Sequence, residues 1–315
     1  MKFKKALLIG IDEAKLDPVF WKRLDSLVEK RVYLAKDSAD IKKELVDTDC
    51  LLVAFETKVD KNDVDSAPNL RYIGTLSVAC GKVDAEYAKS RDIPVCNLAG
   101  YCTDSVAEFI LAAILEHIRE LETGKKRGRA GNYSEDGLKV TEIKNKVFGI
   151  LGLGSIGKRV SEIAIGFGAD VHYWSRNRKK DFEAKGVKYE EADVLIPKCD
   201  FLSLNFAQTE DTEKFLDEGR IAKLKKGVVV INTASMELVD VDALDKRLKN
   251  RDMTFILDHS DVMNKEDLKK LSKHTNCIIY PPMAYISKEA RIAKQEIFIS
   301  NMENFLKGTP TNRVN

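Results

Sequence analysis

The chain has 315 residues, enough for two ordinary domains with a core each, and its 44% hydrophobic and 32% charged residues suit a globular protein. Against 50 acidic residues stand 52 basic ones, and a formal charge of only +2 gives no general attraction to nucleic acid or to an anionic membrane. The six cysteines (50, 80, 96, 102, 199 and 277) form no C-x-x-C pair, which argues against a disulfide framework or a metal site and for a reducing, cytoplasmic compartment.

The N-terminus, MKFKKALLIGIDEAK, starts basic but has only a short apolar run before Asp12. It reads as a first β-strand and not as a signal peptide. No window approaches the ~18 apolar residues of a membrane span. Strands are expected at 5–11 (KALLIGI), 50–55, 70–76 and 93–98, with helices at DPVFWKRLDSLVEK and VDAEYAKSR between them. That β-α-β-α alternation predicts a parallel sheet covered on both faces. Next, Thr103, Asp104 or Ser105 can cap a long helix, about 103–123, which Gly124 ends. A polar connector follows over 124–146. Its basic run, Lys125-Lys126-Arg127-Gly128-Arg129, has no interleaved aromatics and reads as a solvated loop in preference to a phosphate-binding patch. Further strands are expected at 147–151, 169–175, 199–206, 227–234, 254–260 and 277–282, and an amphipathic helix over about 287–307 closes the chain.

The stretch VFGILGLGSIGKRV (147–160) carries the most chemistry. A buried strand runs into G-x-G-x-x-G and then a helix, the arrangement that binds a dinucleotide. Gly152 makes the tight turn, Gly154 lets a pyrophosphate approach the backbone, and Gly157 lets helix and strand pack closely. The helix start at Ser155 and Ile156 offers free N–H groups and a positive dipole end to the phosphates. An NAD-preferring site places Asp or Glu about 20 residues past the first glycine. Here YWSRNRKK (173–180) supplies Ser175, Arg176 and Arg178, a hydroxyl and two guanidiniums suited to a 2′-phosphate. The same residues fit a solvated basic turn with no cofactor preference; the composition favours NADP(H) over NAD(H).

With these motifs in place, the chain resembles the D-isomer-specific 2-hydroxyacid dehydrogenases over nearly its whole length. RYIGTLSVACGKVDAEYAKSRDIPVCNLAGYCTDSVAEFILAAIL (71–115), the glycine turn and GVVVINTASMELVDVDALDKRL (227–248) carry the resemblance, and YCTDSVAE is its most specific part. It implies an α/β protein of two doubly wound parallel-sheet domains. A flavodoxin-like substrate domain (1–100 and 285–315) would hold an inserted Rossmann domain (101–284), with the active cleft between them. It implies cofactor contacts from Thr103, Thr233, Ala234 and Asp258, the last to the nicotinamide carboxamide, and a homodimer formed through the hinge helix and connector.

The family's chemistry uses an arginine, a glutamate and a histidine. At the arginine's place stands Ser235, at the histidine's Pro282, and near the glutamate's Met263, with Asp261 and Glu266 close by in sequence. Serine cannot supply a charged planar fork, and proline carries no proton. Of the four histidines, His117, His172 and His274 read as structural or solvated. His259, directly after Asp258, is the candidate replacement acid, ahead of Tyr280 and Tyr285. Lys82 lies near the loop that in the family offers N–H groups to the substrate carboxylate, and could act there as a point charge. Two readings result: an NADP(H)-dependent oxidoreductase acting on an unidentified small carbonyl or related compound, or a non-catalytic NADP(H)-binding sensor or scaffold.

Overall fold

Short apolar runs become the strands of two separate parallel sheets. The computed structural model describes residues 2–55, 57–80, 82–258 and 260–315. The chain divides into two units, Met1–Cys102 with Ser287–Asn315, and Thr103–Ile286.

The first unit holds β1 (Phe3–Ile9), β2 (Val28–Leu34), β3 (Cys50–Val53), β4 (Tyr72–Thr75) and β5 (Val95–Cys96). Their order is β2-β1-β3-β4-β5 and every pairing is parallel. Side chains alternate across a strand, so Leu8 and Leu52 enter one apolar cluster and Leu7 and Leu51 another. The helix Lys288–Leu306 closes the first cluster with Phe298, Ile299 and Met302. Burial on both faces is why β1, β3 and β4 read as continuous apolar runs. The helix expected through Lys30 stops at Leu27, and β2 follows it directly. As an edge strand with only Val28 fully buried, β2 has no strong apolar signature.

The second unit holds β6 (Val147–Leu151), β7 (Asp170–Trp174), β8 (Lys188–Tyr189), β9 (Phe201–Leu204), β10 (Val228–Asn232), β11 (Met253–Leu257) and β12 (Cys277–Ile279). The order is β12-β11-β10-β9-β6-β7-β8, again all parallel. The winding reverses between β6 and β9, and ligands of such sheets bind outside the carboxyl ends of the strands at that switch point. The long helix ends at Ile118 and not near residue 123. Glu120 takes a left-handed φ of 47°, and a second helix, Leu121–Arg129, begins with Gly124 inside it and no buried residue. The basic run is therefore helical, though solvated: Lys126 pairs with Glu122 at 3.2 Å one turn away. Among the described residues, no helix is long and apolar enough to cross a membrane, and no cluster of three or more His, Cys, Asp or Glu could hold a metal ion.

Candidate cofactor and substrate site

The glycine turn sits at the carboxyl end of β6, beside the end of β9. Gly152 has φ +94°, and a Cβ there would lie 2.9 Å from the Asn205 backbone, so only glycine fits. At Gly157 a Cβ would come within 2.1 Å of the Gly152 carbonyl oxygen, the mark of a helix packed hard against its strand. A Cβ on Gly154 would meet nothing within 4 Å. The backbone there faces open space at the start of the helix Ser155–Gly166, and Gly154 has no side chain to cap that helix. Its first N–H groups remain available to an anion. Three glycines with three different surroundings thus fit a dinucleotide pyrophosphate: a turn, an opening and a close contact. Ser155 and Ile156 open the helix beside them.

Past β7 the chain forms one wall of a cavity of about 260 Å3, lined by Gly152, Gly154, Ser175, Arg176 and Lys179. Three aromatic rings pack at its edge. Trp174 lies 4.5 Å from Phe215 and 6.0 Å from Phe206, between ring centroids. Trp174 and Phe206 line the cavity themselves, and offer a flat apolar surface of the kind an adenine needs. Ser175 donates its hydroxyl to the Asn177 carbonyl at 2.6 Å, which stiffens the turn. Arg176 is exposed and makes no ion pair among the described residues. Arg178 is used differently: its guanidinium forms a fork with Glu183 at 3.1 and 2.5 Å and lies 4.8 Å over the Tyr189 ring. Glu183 is held in turn by the Tyr173 hydroxyl at 2.9 Å. The second cation of the cavity wall is Lys179, which the sequence pattern did not single out. Its signal was the lining of a pocket, and that needs the strand order.

At the carboxyl ends of β10 to β12 lie the positions tied to substrate chemistry. Thr233 and Ala234 follow β10, and the Ala234 N–H donates to the Asn232 side chain at 3.0 Å. Ser235 caps a short 3-10 turn: its hydroxyl accepts from the Glu237 N–H at 3.3 Å and donates to the Glu237 carboxylate at 3.0 Å. Asp258, fully buried, accepts from the Ala284 N–H at 2.9 Å. The Ala284 carbonyl accepts from the Ser105 hydroxyl at 2.8 Å, so the Pro282 loop is tied to β11 and to the long helix that starts at Thr103. Met263 packs against the core of this unit, and Glu266 is exposed with Lys270 at 3.7 Å. The Tyr280 hydroxyl donates to Glu116 at 2.5 Å and its ring meets Phe109 edge-on, so this phenol is already committed. Burial, together with that carboxylate, holds the Tyr280 pKa well above the ordinary tyrosine range. Tyr285 is partly exposed. His259 lies outside the described residues.

A larger cavity, about 800 Å3, opens elsewhere in this unit, at the amino ends of β6, β9 and β10 beside Lys146, Asp200 and Gly227. Its size does not make it the cofactor site, because ligands of doubly wound sheets bind at the other end.

In the first unit, two carbonyls of the loop after β4 are held by the segment after β5 and a third by the loop itself. Ser77 O accepts from the Leu98 N–H at 2.9 Å, Val78 O from the Asn97 side chain at 2.5 Å, and Ala79 O from the Ser77 hydroxyl at 2.6 Å. The N–H groups of Val78, Ala79 and Cys80 donate to no acceptor among the described residues. Successive unpaired N–H groups of this kind can receive an anion. Lys82 is exposed just beyond them.

Comparison with known proteins agrees with this geometry. A family model described as D-isomer specific 2-hydroxyacid dehydrogenase, NAD binding domain, matches residues 111–284. The chain is 30% identical to a hydroxypyruvate reductase of Blautia hydrogenotrophica, over 98% of this chain and 99% of that protein. It is 32% identical to a glyoxylate reductase of Thermofilum pendens, over 88% and 85% of the two. Among solved structures, the D-lactate dehydrogenase of Aquifex aeolicus complexed with NAD and lactic acid matches with a TM-score of 0.82 and 25% identity, covering 96% of each chain.

Proposed function

The chain belongs to the D-isomer-specific 2-hydroxyacid dehydrogenase family, and from that premise we propose that it is an NADP(H)-preferring oxidoreductase whose substrate end differs from the family pattern. The observation that carries the cofactor half is the trio Gly152, Gly154 and Gly157, each with the surroundings its task needs. Arg176 and Lys179 on the cavity wall, with no carboxylate lining it, support the 2′-phosphate preference. When bound, the nicotinamide supplies or accepts hydride.

The chain's own residues supply the binding and the orientation. Asp258 holds the loop that carries Pro282, and the loop N–H groups of Val78 to Cys80, with Lys82 beside them, receive an anionic group of the substrate, a small carbonyl or related compound. A reduced carbonyl also needs a proton, and a positioned acid typically contributes about 10²–10⁴-fold. Pro282 cannot supply it. His259 is our candidate donor: His259→Ala should abolish turnover and leave NADPH binding unchanged, and unaltered turnover would remove that role.

One observation favours a second reading. Ser235 spends its hydroxyl on a cap and Pro282 carries no proton, so the two positions offer neither cation nor acid. A protein that only senses or sequesters NADP(H) would look the same there. One experiment separates the two. NADPH binding is read by quenching of Trp174, with Trp174→Phe as control, and NADPH oxidation is followed in the same sample over 2-ketoacids, aldehydes and cyclic imines. Turnover establishes the enzyme; tight binding with none establishes the sensor. We further infer a cytoplasmic homodimer. Six free cysteines suit a reducing compartment. Exposed Leu121, Tyr133 and Val140 on the connector support pairing of two copies, as does the 800 Å3 cavity beside it.

A further inference from the structure

The loop that presents those N–H groups is held from behind by a chain of asparagines. Asn97, nearly buried just past β5, donates its side-chain amide to Val78 O at 2.5 Å and accepts from the Ala99 N–H at 3.2 Å. The Asn97 carbonyl accepts from the side chain of Asn301 at 2.8 Å. Asn301 is itself 2% exposed, on the helix Lys288–Leu306. Its carbonyl oxygen accepts from Asn312 at 2.8 Å and from the Thr311 hydroxyl at 3.0 Å. The Asn97 N–H donates to the Asn312 carbonyl at 3.1 Å. The tail then runs along the edge of β5, where Val314 N–H donates to the Val95 carbonyl at 2.9 Å and Asn315 accepts from the Val95 N–H at 3.0 Å.

Every polar atom of the two buried amides has a partner, and apart from Ala99, which follows Asn97 in the chain, the partners lie on the loop, the last helix and the tail. Satisfied buried amides of this kind fix one arrangement, since any other leaves polar groups unpaired away from water. The Val78 carbonyl is the decisive acceptor. Held inward by Asn97, it leaves the loop's N–H groups facing out; released, it is free to turn the peptide plane over.

We propose that Asn97, backed by Asn301 and Asn312, is a positioning residue that latches the loop Ser77–Cys80 in the carbonyl-in, N–H-out conformation. The inference deepens the reading that this loop receives the substrate's anionic group, and rests on it for its functional consequence. The latch itself is a property of the first unit and can be measured without any substrate.

Cys80 supplies the probe. It is the one cysteine of the six that is not buried, and it packs partly against the core beneath the loop. Burial also holds its thiol above the ordinary range, so loosening the loop should both expose it and ease its ionisation. The whole chain is labelled with a disulfide reagent, with Cys80→Ser identifying the signal. Asn97→Asp keeps the size and the acceptor but loses the donor to Val78 O, and should raise the Cys80 labelling rate about tenfold. Asn312→Gly is exposed, keeps a left-handed φ of 52° open to glycine, and removes only the side chain that props Asn301. It should raise the rate about threefold, and serves if Asn97→Asp does not fold.

A second readout uses oxamate, an unreactive two-carbon carboxylate, in the NADPH complex. Oxamate should slow Cys80 labelling in the wild type and require about tenfold more ligand in Asn97→Asp. Wild-type labelling rates in both variants overturn the latch. A lowered melting midpoint with unchanged labelling and oxamate dependence makes Asn97 a packing residue only, which overturns the proposal as well. No protection by oxamate in the wild type defeats the substrate-loop reading alone, and the labelling rates still decide the latch.

Discussion

Gly154→Ala should leave the fold standing and remove the cofactor. A Cβ there meets nothing within 4 Å, and the backbone, at φ −80° and ψ −162°, is open to alanine. Alanine at a compatible site narrows the unfolded chain's freedom by about 0.4–1 kcal/mol, while a helix cap loses a comparable amount on exchanging glycine for alanine. The net change in stability is therefore within about 1 kcal/mol. Yet the new methyl occupies the face a pyrophosphate must approach. We expect NADPH to bind at least about 30-fold more weakly, or about 2 kcal/mol. Gly157→Ala is the contrast. Its Cβ would sit 2.1 Å from the Gly152 carbonyl oxygen, so the helix must move off its strand. Overpacking of this kind costs about 1–3 kcal/mol, or roughly 2–12 °C of melting midpoint for a unit of this size. The assay pairs a thermal melt with an NADPH titration followed by Trp174 quenching, on both variants. Wild-type NADPH affinity in Gly154→Ala would mean that no phosphate lies against that backbone, and the assignment of the site would fall.

Arg176→Ala should weaken NADPH at least about tenfold and NADH within about twofold, and Lys179→Ala should act in the same direction. Arg178→Ala, whose guanidinium is held by Glu183, should leave the NADPH-to-NADH ratio unchanged. Equal loss of both nucleotides in Arg176→Ala would sink the preference for NADP(H). Ser235→Arg combined with Pro282→His should create measurable 2-ketoacid reduction by NADPH; none at all would show that these two side chains are not enough to install the reaction. His117 is half-buried beside Thr254, 2.9 Å away, and this partial burial lowers its pKa below the ordinary 6.5. The unfolded chain then takes up a proton that the folded chain refuses. This share of stability is complete above about pH 6.5 and is lost as pH falls from there through the folded value. Melting midpoints between pH 7.5 and 5.5 should fall less steeply in His117→Gln, and an identical slope would assign the loss to other groups.

The apolar strand runs and the glycine spacing are local features, and they are legible in the chain before any contact is known. A strand buried on both faces must be apolar along its length, which is why β1, β3, β6 and β10 stand out. A dinucleotide turn needs glycine where the backbone has positive φ or no room for a side chain. The surroundings of Gly152 and Gly157 bear that out at the level of single atoms. Edge strands are a different matter: β2 and β8 are largely open to solvent, so their polar residues hide them. The end of the long helix at Ile118 is equally obscure, because helix-forming residues continue past it while apolar ones to bury do not.

Tertiary structure alone decided which cations line the cavity beside the glycine turn. Arg176, Arg178 and Lys179 are nearly equivalent as letters, but the turn after β7 sends them in different directions. Glu183, on the short helix that follows, captures Arg178 and leaves Lys179 on the cavity wall. The asparagine latch is hidden for the same reason. Asn97, Asn301 and Asn312 are unremarkable in sequence and more than 200 residues apart at their widest, and only the docking of the last helix and tail on β5 makes them one network. Charge and apolarity belong to a residue, whereas direction and partnership belong to the fold around it.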